Sequence, residues 1–232
     1  MENLKDRILH LFLPLLFLSS CAPIYTPNVV HAPLFSEKHD ADLQFSMGTA
    51  GYDVQAAYAP TNYLGVMVNS SYQFKDVADT NSFHKHNFVE AGIGYYGKIE
   101  EAGRYECFVG FGSGEAKSYS RDFWGYVTGN YNRFYIQPSI GAKMDVFEGA
   151  FSCRVAYVDM YQFSGTTDYR RSEMNTFYFE PVLTAKAGYK FVKFFVQGGL
   201  SLPIESNLKY TDQPFILNFG LNFSFSKSYL KE

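Results

Sequence analysis

The sequence predicts an all-β chain, an antiparallel up-and-down transmembrane β-barrel of about ten strands, with eight as the smaller solution. Three observations carry this. Apolar residues recur at every second position in about ten segments, the links between segments alternate short and long, and the apolar side is nearly free of charge. The clearest segment is PFILNFGLNFSF, residues 214–225. Phe215, Leu217, Phe219, Leu221, Phe223 and Phe225 share one face, and Ile216, Asn218, Gly220, Asn222 and Ser224 share the other.

The chain opens with MENLKDRILHLFLPLLFLSSC. Lys5 and Arg7 form a basic start, and Leu11 to Leu18 form an apolar run of eight. A membrane helix needs about 20 apolar residues, so the run reads as a secretory signal over residues 1–20. LSSC resembles the lipobox of bacterial lipoproteins, which implies cleavage before Cys21 and acylation of that cysteine. Residues 21–39 then read as a periplasmic linker, 40–226 as the barrel and 227–232 as a short tail.

Strands are expected near 40–49, 51–59, 62–74, 86–97, 103–113, 131–143, 148–160, 176–188, 191–203 and 213–225. In the third, LGVMVNSSYQF, Leu64, Val66, Val68, Tyr72 and Phe74 oppose Gly65, Asn69, Ser71 and Gln73. In the sixth, Phe134, Ile136, Ile140 and Ala142 oppose Arg133, Gln137, Ser139, Gly141 and Lys143. The links APTN, GKIEEAG, the residues around Phe147 and Gly188–Lys190 are short. SGEAKSYSRDFWGYVTGNYN stands for the longer set on the other side. Short turns facing the periplasm and long loops facing out are the habit of membrane barrels, and an even strand count puts both termini on the periplasmic side. Pro138 and Pro181 lie inside strands, where a missing N–H calls for a bulge or kink.

FYIQPSIGAK (134–143) and FYFEPVLTAK (177–186) repeat with a spacing near one hairpin and its loop, and FVEAGIGYY (88–96) follows more loosely. The repeat sets Glu90, Gln137 and Glu180 at equivalent lumen-facing positions. Reflection about the turn near Phe147 brings Arg154 to the height of Gln137, so Arg154 is expected to pair with Glu180 or Glu90. The polar side is otherwise rich in Gly, Ser, Asn and Gln, with few Lys and Glu, which suits a crowded interior rather than a water-facing surface. The apolar side is left for lipid.

With these features the chain resembles small outer-membrane β-barrel lipoproteins of Gram-negative bacteria. The resemblance implies a place in the outer membrane, contact with its lipid, and the barrel assembly machinery as a partner in biogenesis. The last strand, FGLNFSF, resembles the signal that machinery reads, although the chain continues to Glu232. No motif carries catalytic residues over from a characterised subfamily.

Composition agrees. Aromatic residues make up 19%, with 23 Phe, 19 Tyr and one Trp, and charged residues only 19%, against about 25% in average usage. A net charge of −3 gives no basic patch for nucleic acid. Cys107 and Cys153 face outward on strands five and seven, with a strand between, and are expected to be unpaired. Asp76, Asp79, His84 and His86 fall in one expected loop, which reads as solvated rather than as a metal site. GFGSGEAKS (110–118) lacks the contiguous Gly-Lys-Ser/Thr of a phosphate loop. Tyr119, Phe123, Trp124, Tyr126, Tyr131, Phe134 and Tyr135 read as an interfacial girdle, with Trp124, Phe123 and Tyr126 as candidate surface contacts.

These readings point to a barrel filled by its own side chains, structural or interacting through its loops, with no enzyme activity and no cofactor. The runner-up is a narrow channel or small-molecule binder. An outer-membrane hydrolase of the omptin type, which also has ten strands, ranks below both because no second Asp–His set is present.

Overall fold

A computed structural model describes residues 23–74, 82–120, 125–165, 174–205 and 212–226. The strands are β1 (Ala41–Gly48), β2 (Gly51–Tyr58), β3 (Leu64–Phe74), β4 (Ser82–Ile99), β5 (Gly103–Ser120) and β6 (Gly125–Lys143). They continue with β7 (Phe147–Gly165), β8 (Met174–Tyr189), β9 (Val192–Leu200), β10 (Leu202–Pro203) and β11 (Phe215–Phe225). Each pairs antiparallel with its neighbour. β10 prolongs β9 across Ser201, and β11 pairs with both β1 and β9, so the wall is a closed ring of ten strands. Among the described residues no helix is long and apolar enough to cross a membrane, which says nothing about strands.

Alternation sorts the side chains as the period of two requires. On β11, Leu217, Phe219, Leu221 and Phe225 are exposed, while Ile216, Asn218, Asn222 and Ser224 are buried. On β6 the outward set Phe134, Ile136 and Ile140 alternates with buried Arg133, Tyr135, Gln137 and Ser139. The outer face carries a band of Phe, Val, Ile and Leu, and more of the buried wall residues are polar or charged than hydrophobic.

Four strands are longer than the alternation predicts. β4 to β7 extend past the apolar band at one end, so GSGEAKSYS (112–120) continues β5 instead of looping. Above Phe111 the outward residues of β5 are Ser113, Glu115 and Lys117, and Lys117 reaches Glu115 at 2.9 Å. With Ser, Glu and Lys outside and the small residues Gly112, Gly114, Ala116 and Ser118 inside, the period-two signal vanishes there although the ladder does not. His84 and His86 likewise lie on β4, buried and facing inward, not in a loop. Tyr131 and Tyr135 also point inward, whereas Tyr126 is exposed. Phe123, Trp124, Asp76 and Asp79 lie outside the described residues, as do residues 1–22, with Cys21 among them, and 227–232.

The two in-strand prolines sit in gaps rather than bulges. Pairing of β6 with β7 lapses between Ile136 and Ser139 and resumes in the same register. Pairing of β8 with β9 and β10 lapses around Pro181, where Ser201 interrupts the ninth strand, again without a shift. A missing N–H is thus accommodated by an open rung facing the next strand. The bulge in this part of the wall lies instead between Thr128 and Asn130. Cys107 and Cys153 are both free thiols on strands separated by β6.

Candidate functional site: the occupied lumen

Residues 24–35 lie inside the wall. Every residue from Ile24 to Phe35 is buried, because the segment runs through the lumen as an extended plug. It begins at the end with the longer connections, where Tyr25 bridges Asp212 and accepts a bond from Gln213 N at 3.0 Å. It leaves at the end with the short turns, where Asp40 Oδ2 accepts from Ser36 N at 2.7 Å and the chain enters β1. The first described residues and Ser226 therefore lie at opposite ends. The plug spans the height of the barrel between them.

A plug of this kind has a physical problem that its sequence meets only in part. Its backbone has no strand neighbours, so its N–H and C=O groups need other partners. Pro23, Pro27 and Pro33 carry no N–H and favour extended backbone. The wall supplies several of the rest through inward side chains. Gln197 Oε1 accepts from Val30 N at 2.9 Å and its Nε2 donates to Val30 O at 2.8 Å, a side-chain copy of a strand pairing. Gln55 donates to Val29 O at 2.8 Å, Gln137 to His31 O at 2.7 Å and Lys186 to Ala32 O at 3.3 Å. Leu34, whose φ of 48° is left-handed, donates its N–H to Glu106 Oε2 at 3.0 Å. That bond helps to hold a backbone conformation uncommon for a non-glycine residue.

At mid-height Asn28 joins two buried ion pairs. Arg133 Nη2 donates to Glu90 Oε2, and Arg154 Nε donates to Glu180 Oε2 at 2.5 Å. Asn28 Oδ1 accepts from Arg133 at 2.6 Å and from Arg154 at 2.9 Å, while its Nδ2 donates to Glu90 Oε1 at 3.0 Å. Its own carbonyl accepts from Arg154 Nη2 at 3.0 Å. Of the four predicted lumen residues, Glu90, Arg154 and Glu180 meet here, and Gln137 binds the plug lower down. Arg154 and Glu180 are also register partners across β7 and β8.

Aromatic and small residues shape the ends. Toward the long-loop end Tyr25 packs on Tyr178 at 4.6 Å and edge-on to Tyr131 at 5.9 Å, and Phe88 stacks on Tyr131 at 5.2 Å. His84 sits 3.3 Å from Thr26 Oγ1 and 2.8 Å from His86, whose other ring nitrogen is 2.9 Å from Ser71 Oγ. Toward the other end Phe35 lies over Gly65, where a Cβ would come within 2.7 Å of the ring, and Leu34 packs against Gly141. Below Val30, Lys193 Nζ donates to Glu148 at 2.7 Å and Asp42 meets His31 at 2.9 Å.

The chemistry of the central layer is mutual neutralisation. The guanidinium and carboxylate groups of the central layer face each other and the plug, which is the arrangement of a closed structural core. Asn28, Arg133 and Tyr25 belong to this layer, and sequence reasoning did not single them out. A signal was present, since Ile24, Val29, Val30, Leu34 and Phe35 are apolar to a degree unusual in a solvated linker. No protein-family model and no curated protein sequence matches the chain.

Proposed function

We propose that the chain is an outer-membrane β-barrel lipoprotein with a closed lumen, serving as a structural or surface-interaction protein through its long-loop end rather than as a pore or an enzyme. The observation that carries this is the uninterrupted burial of residues 24–35 inside the wall. A ten-strand lumen is little wider than one that side chains fill, and here it also holds a chain segment bonded to the wall along its length. The outer band supports the membrane reading. On β4 the exposed row runs from Val89 to Ile99, about 33 Å along the strand and about 25 Å in height at the usual tilt, the thickness of a barrel's apolar belt. Exposed Tyr63, Tyr95 and Tyr105 sit at its short-turn edge, where amphipathic rings suit a membrane interface.

The full chain reconstituted in planar bilayers is expected to be electrically silent at all voltages that leave the bilayer intact. Steady single-channel steps from the unmodified protein would rule out the closed lumen in favour of the channel reading. The anchor is tested separately. Cys21→Ala is expected to abolish labelling by a clickable palmitate analogue while the barrel still assembles, and labelling that survives would remove the lipoprotein reading.

A further inference from the structure

The path of the plug bears on where a lipid on Cys21 would sit. Pro23 and Tyr25 lie at the long-loop end. Tyr25 bridges Asp212 in the connection between β10 and β11, and Thr26 meets His84, two residues from the start of β4. That level is the long-loop edge of the wall. On β4 the outward residues beyond Val89 are Asn87, Lys85 and Phe83, and on β5 those beyond Phe111 are Ser113, Glu115, Lys117 and Tyr119, with Phe83 stacked on Tyr119 at 5.8 Å. The plug therefore emerges at the long-loop rim, where charged and aromatic residues share the outer face.

Only Ala22 lies between Cys21 and Pro23, two Cα–Cα steps with a reach of at most about 7 Å. The apolar band alone is about 25 Å tall, and the short-turn end lies beyond it. Cys21 cannot return to that end while the plug is seated. The seat itself is tied along its length by Asn28, Val30, Leu34 and Phe35.

We infer that the chain crosses the membrane inside its own barrel, so that Cys21 is delivered on the long-loop side and an acyl anchor there enters that side's leaflet. With long loops external, as membrane barrels have them, this is the cell-surface leaflet. The inference rests on the lipoprotein reading only for the anchor; the threaded path stands on the plug. A lipid inserted beside the loops and a plug fixed to the wall would hold the barrel at both its lumen and its rim.

The test uses the full chain with one epitope inserted between Ala22 and Pro23 and, in a separate variant, the same epitope after Glu232. Antibody binding to intact cells is compared with binding after permeabilisation, and each variant is labelled with the clickable palmitate analogue. The N-terminal epitope is expected to give about the same signal before and after permeabilisation, and the C-terminal one only background on intact cells. An N-terminal epitope seen only after permeabilisation overturns the inference. Surface exposure without acyl labelling supports the path and removes the anchor. Should the insertion block assembly, Tyr25→Cys/Asp212→Cys in a Cys107→Ser/Cys153→Ser background gives an independent reading. Bridged residues at the long-loop end lie within disulfide reach, so a reductant-sensitive change in the mobility of the unfolded chain is expected. Two thiols that both alkylate freely would overturn the threaded path.

Discussion

Replacing Arg154 with alanine is expected to destabilise the barrel by about 3–5 kcal/mol, the usual consequence of removing one partner from a buried charge pair. Arg154 is 1% exposed and Glu180 is fully buried. Without the guanidinium, the hydrogen bonds left to Glu180 among the described residues come from Ser201 Oγ at 2.9 Å and Tyr25 at 3.5 Å. Asn28 loses a donor to its side chain and another to its carbonyl. The heat-modifiable gel shift measures the result: the midpoint for conversion to the unfolded band should fall well below that of the parent. Arg154→Ala/Glu180→Ala should recover part of the loss, because the stranded carboxylate is gone, but not all, because the plug is still deprived of its donors. If all three proteins unfolded at one midpoint, the central layer would not be a closed ionic core, and the idea of a water-filled ion path would gain.

The wall was legible in the sequence because a barrel writes its two environments on alternate residues. Phe215 to Phe225 lie on the lipid-suited face and Asn218, Asn222 and Ser224 inside, so a period of two suffices to orient β11. The same logic explains what was not legible. At Glu115–Ser118 the outward residues of β5 are charged and the inward ones, Ala116 and Ser118, are small, so no alternation of large apolar residues reports the strand. The repeat of FYIQPSIGAK and FYFEPVLTAK located Gln137 and Glu180 because it is a periodic property of the wall. The plug has no such signature. Its partners Gln55, Gln137 and Gln197 lie far away in the chain, and its three prolines imitate a linker. An inner face rich in glutamine and paired charge is itself a clue that something with unpaired backbone groups lies inside, though nothing local identifies which segment.

The contact between Phe35 and Gly65 offers the most direct test that the segment is seated there. A Cβ at Gly65 would fall 2.7 Å from the Phe35 ring and 3.0 Å from Phe108, so there is no room for a side chain while the plug is in place. Gly65→Leu should therefore be overpacked, at about 1–3 kcal/mol or more. Phe35→Ala alone should also destabilise, by about 3–5 kcal/mol, because the ring is 1% exposed and rests against Tyr96 at 5.3 Å. The informative protein is the double variant Phe35→Ala/Gly65→Leu. If the ring occupies the space that glycine leaves, the leucine fills the cavity and the double change costs less than the sum of the two, a coupling of the size expected for residues in contact. If the plug were not held against β3, Gly65→Leu would meet Phe108 of the wall but not Phe35, and the two changes would add. Urea titration followed by the same gel shift separates these outcomes. Additive losses would unseat the lower half of the plug, whereas a favourable coupling with preserved electrical silence ties Phe35 to the closure of the lumen.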